Sequence, residues 1–208
     1  MILMKTGKAE ENKRKKREAL MHTAFELFSH EGIAHTSISD IAEKAGVGKG
    51  TFYFYFKDKY DLRNHIIAAK SGEIFIRAKN ALDQTDLVLL EDKIIFLADN
   101  IISQLENDVI TLRFVYKNLS WGVFESAFIE HRDTNIDFAL VFESAIRESE
   151  IKYENPLIMI YMIIELISST CHDSILYGKP LPINEMKGYV FQSIRAIMRA
   201  QQVSPEKI

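Results

Sequence analysis

The chain has 208 residues, 47% of them hydrophobic, with a net charge of −3 and a single cysteine, Cys171. This length can bury one large core or a small domain fused to a larger one; the lone cysteine excludes an internal disulfide and fits a reducing compartment, and so low a charge argues against a general nucleic-acid binder. The start, Met1-Ile2-Leu3-Met4-Lys5, lacks the basic-then-apolar order of a signal peptide, and the longest apolar run, Leu157 to Ile164, covers eight residues before Glu165, too few for a membrane helix.

Charge is nevertheless uneven along the chain. Residues 1–60 hold eleven Lys and Arg against eight Asp and Glu, +3, which leaves 15 against 21, −6, for residues 61–208. Lys13-Arg14-Lys15-Lys16-Arg17 is an unbroken basic run at the beginning of the first long predicted helix. Alone, such a run is as well explained by a solvated tail as by a polyanionic partner. The segment from Thr36 to Lys57 decides between the two.

Ser37 and Asp40 have the spacing of a capping box, so a helix is predicted from about Ile38. Ile38, Ile41, Ala42 and Ala45 form one apolar stripe, and Gly46 supplies the left-handed residue that ends a helix. Val47 covers the corner, and a second helix starts at Gly48 or Lys49 with Phe52 and Phe56 on its inner side. Lys49, Gly50, Thr51, Tyr53 and Phe54 are left facing outward. Water-facing helix positions usually carry Glu, Lys, Gln and Arg, so this row suits a groove lined with phosphates and base edges. Lys49, Thr51 and Tyr53 can donate to phosphate oxygens, Gly50 allows close backbone approach, and Phe54 can touch a thymine methyl. Beside such a helix-turn-helix, the basic extension becomes a candidate for the duplex backbone, through Lys13, Arg14, Lys16 and Arg17.

These residues resemble the DNA-binding domain of the TetR family of bacterial transcriptional regulators. Upstream, Leu20, Thr23, Ala24, Leu27, Phe28 and Gly32 resemble that family's first helix; downstream, Phe56-Lys57-Asp58-Lys59 and Leu62 resemble the start of its connecting helix. The similarity covers roughly residues 10–66. It implies that Lys49 to Phe56 is the recognition helix and that Thr36, Tyr53 and Lys57 touch phosphates. Two positions depart from the family: Gly48 replaces a frequent serine cap, and Phe54 replaces a polar aromatic such as His or Tyr.

Nucleotide-binding readings of Gly46-Val47-Gly48-Lys49-Gly50-Thr51 fail. A P-loop needs glycine where Glu43 stands and Ser or Thr where Gly50 stands, and the dinucleotide pattern needs a preceding strand.

The remaining chain reads as helical. Asp58 caps a long helix to about Asn80, and further helices are predicted at about 88–106, 109–124, 134–149, 156–177 and 184–202. Pro156 suits a first helical position after Asn155, and Gly178 with Pro180 and Pro182 ends that helix. The fold class is therefore all-α, about nine helices, with an N-terminal DNA-binding domain at 1–57 and a larger ligand-binding and dimerisation domain at 58–208. No metal or other cofactor is expected, since His172, Asp173 and Cys171 point in different directions on one helix.

The 156–177 helix is apolar on almost every side, with Ile158, Met162, Leu166 and Ile167 on one part and Met159, Ile163 and Ile164 on another. The last helix presents Met186, Val190, Ile194, Ile197 and Met198, with Gly188 permitting close approach. The family resemblance implies that these two helices build a homodimer through a four-helix bundle, so that two readers meet a palindromic operator on double-stranded DNA. It also implies an effector cavity lined by Tyr116, Trp121, Phe124, Phe128, Phe138, Phe142, Tyr161, Glu165, Cys171 and His172. The predicted function is a cytoplasmic, ligand-responsive regulator, most simply a repressor, and not an enzyme. Two alternatives are an all-helical enzyme using Glu165 and His172 as an acid/base pair, and an architectural DNA-binding protein without effector control. Helical phase opposes the first, because residues seven apart lie about 10 Å from each other.

Overall fold

The computed structural model describes residues 3–116 and 144–203. Its helices are α1 (Leu3–Glu31), α2 (Ile38–Lys44), α3 (Lys49–Tyr55), α4 (Lys59–Leu82), α5 (Leu90–Asn107), α6 (Val109–Val115), α7 (Pro156–Tyr177) and α8 (Ile183–Ala200). Residues 144–148 are also helical, and no strand occurs among the described residues beyond one isolated antiparallel bridge between Tyr153 and Gln202. Two compact units divide at Ala69/Lys70, inside α4, so the start of that helix belongs to the first unit.

The first unit is built from α1 to the start of α4. Leu20, Ala24, Leu27 and Phe28 of α1, Ile41 and Ala42 of α2, Phe52 of α3, Phe56, and Leu62, Ile66 and Ile67 of α4 are among its buried side chains. These are the positions that helical periodicity selects. One expectation changes: α1 starts at Leu3, so the basic run lies in the middle of a 29-residue helix and is not an extension ahead of it. The intervening sequence is rich in good helix formers, and Glu11–Lys15 and Arg14–Glu18 are paired one turn apart.

In the second unit one core joins α5, α7 and α8. Leu90, Ile94, Ala98 and Ile102 meet Met159, Ile163, Ile167 and Cys171, and Ile183, Val190, Ile194 and Met198 close the cluster. The helix ends follow local rules. Asn155 accepts from the Ile158 N–H with Pro156 at the first turn, and Gly178 ends α7 at φ 64°. Asp108 caps α6 by accepting from the Thr111 N–H. Burial pushes the Asp108 carboxyl up, but the Thr111 hydrogen bonds, with Lys70 and Arg77 nearby, outweigh it and hold the group below the usual carboxylate range. At the opposite end, the Glu154 N–H donates to the Gln201 carbonyl and the Val203 N–H to that of Lys152, fastening the segment before α7 to the one after α8. By length and composition alone α7 could cross a membrane; here one of its faces fills this core.

Two expectations are corrected in this unit. The helix predicted over 109–124 stops at Val115, with Tyr116 extended at φ −61°, ψ 139°. That backbone lays the Tyr116 ring flat on the His172 imidazole, centroids 3.3 Å apart, a tertiary contact that overrides local periodicity. The apolar stripe of α8 assigned to a dimer contact is spent inside the protomer: Val190, Ile194 and Met198 are buried, and Met186 and Ile197 pack against the same core. The face of α8 that remains outward carries Glu185, Gly188, Tyr189, Gln192 and Ala196. On α7 it carries Leu157, Ile158 and Met162, which are 45%, 40% and 41% exposed.

Candidate nucleic-acid interface

Both ends of α2 are closed by local hydrogen bonds. Asp40 N–H donates to Ser37 Oγ (3.2 Å) and Ser37 N–H to Asp40 Oδ2 (3.1 Å), the reciprocal capping box. Hydrogen bonding from the Ser37 side chain and backbone, with Lys44 and Lys49 nearby, holds the Asp40 carboxyl below its usual range. At the other end of α2 the Val47 N–H reaches the Ala42 carbonyl (2.9 Å) and the Gly46 N–H that of Glu43 (3.0 Å). This is the Schellman pattern, and it needs the φ of 68° that Gly46 adopts.

α3 then separates its two faces. Phe52 is 0% exposed, whereas Tyr53 is 59% and Phe54 68% exposed. Lys49 and Gly50 are exposed, Thr51 half-buried, and Lys57, just beyond the helix, exposed. The outward row read from the sequence is thus assembled on one surface. Tyr55 turns back, its hydroxyl donating to the Lys13 carbonyl (2.9 Å) and fastening α3 to the basic part of α1. Asp58 Oδ1 accepts from the Tyr60 and Asp61 N–H groups, both at 2.8 Å, and starts α4. The Asp61 and Tyr60 amides hold its carboxyl below the usual range.

Not every candidate points outward. Thr36 is 1% exposed, and its hydroxyl donates to the Gly32 carbonyl (3.0 Å), so its side chain braces the turn between α1 and α2. Arg17 lies over the Phe56 ring (5.9 Å), with a guanidinium nitrogen 3.4 Å from His65 Nδ1. Arg14 pairs with Glu18 at 3.6 Å on the helix surface. Lys13 and Lys16, by contrast, border an open groove of about 520 Å³ between α1 and α3, together with Ala9, Asn12, Gly50, Thr51, Phe54 and Tyr55.

Lys59 is a positioning residue that sequence periodicity does not reveal. Its Nζ donates to the backbone carbonyls of Ile33 (2.7 Å), Thr36 (3.0 Å) and Ala34 (3.3 Å), holding the α1–α2 turn against α4. The hint in the sequence is a lysine on the first turn of a helix, where the macrodipole favours acidic residues. Replacing Lys59 by Met, which keeps the stem and removes the donor, is expected to cost about 1–3 kcal/mol and to lower the urea midpoint at unchanged slope. The same change at exposed Lys57 should stay within about 0.5 kcal/mol.

The family model described as bacterial regulatory proteins, tetR family, matches residues 20–66, the segment from mid-α1 into α4 that builds this corner. Over residues 20–66 the chain carries the N-terminal domain of the TetR family. Among curated relatives, the HTH-type transcriptional regulator AcrR of Shigella flexneri is 25% identical over 132 residues, 62% of this chain and 60% of that protein. The chain therefore spans less than two thirds of that regulator's length. The fold extends further than the sequence similarity. A crystal structure described as a tetR family regulator from Shewanella sp. PV-4 covers 91% of this chain and 99% of its own at TM-score 0.60 and 20% identity. SmeT, the repressor of the Stenotrophomonas maltophilia multidrug efflux pump SmeDEF, covers 91% of both chains at TM-score 0.58 and 16% identity. The TetR-family match leaves residues 3–19 of α1 outside it, including the whole basic run.

Of the candidate effector residues, Trp121, Phe124, Phe128, Phe138 and Phe142 lie outside the described residues. Tyr116 and His172 are brought into contact by stacking, and His172 is 8% exposed with Nδ1 2.7 Å from Asp173 Oδ1. Tyr161 and Glu165 are half-buried on α7, and Cys171 is buried in the core, where desolvation raises its thiol pKa. Among the described residues no cluster of three or more His, Cys, Asp or Glu has the arrangement of a metal site.

Proposed function

We propose that the protein is a sequence-specific DNA-binding transcriptional regulator: a homodimer that represses from a palindromic operator and leaves it when a small molecule binds the larger unit. The observation that carries this reading is the outward face of α3, where Lys49, Gly50, Thr51, Tyr53 and Phe54 stand exposed or half-exposed on a helix that follows the doubly capped α2 and is fastened to α1 by Tyr55. Aromatic, hydroxyl and basic groups on one rigid face suit the major groove, with phosphate donors at the edges and an apolar ring for a thymine methyl. AcrR, similar in sequence over 132 residues, and SmeT, similar in fold, support the assignment. Lys49, Thr51, Tyr53 and Lys57 are assigned to phosphates and Phe54 to base edges, whereas Thr36 and Arg17 support the unit from within.

Dimerisation is assigned to the outward faces of α7 and α8, led by Leu157, Ile158, Met162 and Tyr189. The effector site is assigned to the second unit, where Tyr116, Tyr161, Glu165 and His172 combine aromatic surface with a few polar groups. The switch requires an effector that binds the DNA-free conformation more tightly, since equal affinity for both states shifts nothing. Such a regulator works in the cytoplasm, where the buried Cys171 thiol stays reduced. The engagement of His172 with Asp173 gives the acid/base pairing with Glu165 no support.

The test is selection from random duplexes at near-physiological salt. Enrichment of an inverted repeat is the expected result; recovery of no preferred sequence, even after refolding to remove any co-purified ligand, would favour the architectural alternative. On the selected site, Lys57→Ala should weaken binding to all sequences alike and Phe54→Ala should change base preference.

A further inference from the structure

The five-residue basic run is not one patch, because helical geometry divides it. Arg14 and Lys15 lie on the helix surface, paired with Glu18 at 3.6 Å and Glu11 at 2.7 Å. Arg17 turns inward to Phe56 and His65. Only Lys13 and Lys16, one turn apart, border the groove that α1 shares with α3. The opposite wall supplies Gly50, which has no side chain, the Thr51 hydroxyl and the Phe54 ring. Small Ala9 and polar Asn12 continue the α1 wall toward the N-terminus.

A small-molecule site is concave and encloses most of its ligand. This groove is open along its length and carries two ammonium groups on one wall and a hydroxyl on the other, which is the chemistry of a channel for a phosphodiester strand. Tyr55 fixes its width, because its hydroxyl bond to the Lys13 carbonyl holds α3 at a set distance from the lysines. We infer that one sugar–phosphate strand of the bound duplex runs through the groove between α1 and α3, with Lys13 and Lys16 on phosphates that α3 does not reach. This rests on the DNA-binding reading above and assigns α1 a rigid helical contact with the DNA backbone; Arg14, Lys15 and Arg17 make no phosphate contact in it.

The experiment compares Lys13→Gln/Lys16→Gln with Arg14→Gln/Lys15→Gln, two variants that remove the same charge from the same helix. Affinity for the duplex selected by the wild type is measured as a function of salt. Each lost phosphate contact flattens the slope of log K against log salt by about 0.9, so the first variant should lose about 1.8 while the second keeps the wild-type slope. Both should retain the wild-type base preference and helical circular dichroism. Equal flattening in both variants would mean that the run acts only as a diffuse positive field, and no flattening in either would mean that α1 does not touch the backbone; each result overturns the inference while leaving the functional reading standing. A wild-type protein that selects no sequence, while Tyr53→Ala binds DNA as the wild type does, would instead overturn the functional reading and this inference together.

Discussion

Replacing Phe52 by Ala is expected to unfold the first unit in a large fraction of molecules, while replacing Phe54, two residues on, leaves the fold intact. Phe52 is 0% exposed and its ring centroid lies 5.8 Å from that of Phe56, itself 1% exposed. Truncating a fully buried Phe costs about 3–5 kcal/mol through lost transfer energy and the cavity left behind. Domains are stable by only about 5–15 kcal/mol, and a small unit sits near the lower end. Phe54 is 68% exposed, and its truncation should stay within about 0.5 kcal/mol. Hydrogen exchange on the full-length protein separates the two cases. In Phe52→Ala, amides of α2 and α3 should lose protection while those of α5, α7 and α8 keep it; in Phe54→Ala protection should match the wild type and only DNA preference should change. Equal loss of protection in the two variants would reverse the inside and outside faces assigned to α3.

Lysine at both Ile158 and Met162 is expected to convert a dimer to a monomer. The two side chains are 40% and 41% exposed on the face of α7 turned away from the Met159–Ile163–Ile167 core, so charge there is tolerated by the isolated protomer. In a two-fold interface the same patch meets itself, and each protomer would bring two ammonium groups into a desolvated contact with no partner. Light scattering at micromolar concentration should report half the wild-type mass, with unchanged circular dichroism. Because a monomer engages one half-site, affinity for the inverted repeat should fall about 100-fold or more. A variant that remains dimeric would place the interface elsewhere, with the outward Tyr189 face of α8 the next surface to test.

Both experiments turn on the difference between features set by neighbours in sequence and features set by neighbours in space. The caps were legible because the groups that satisfy a helix end lie within a few residues of it: Ser37 with Asp40, Gly46 after Ala45, Asp58 before α4, Asn155 with Pro156, and Gly178 after Tyr177. The inner and outer faces of α3 were legible for a related reason, since the 3.6-residue period puts Phe52 and Phe56 together and leaves Tyr53 and Phe54 apart from them.

The amino-acid sequence by itself determined the helix ends closed by local caps, which faces are apolar, and the helix-turn-helix that gives residues 20–66 their family likeness; the end of α6 at Val115 was not among them. Only the tertiary structure decided what each face packs against. Burial is driven by a non-directional effect, so periodicity marks Val190, Ile194 and Met198 as a stripe to be covered without saying whether α5 and α7 or a second protomer covers it. The same holds for charge: five adjacent basic residues read as one patch until α1 distributes them between a groove, surface ion pairs and the Phe56 ring. Lys59, whose partners are carbonyls more than twenty residues away, and Tyr116, whose ring finds His172 across the second unit, owe their roles to contacts that no local pattern encodes.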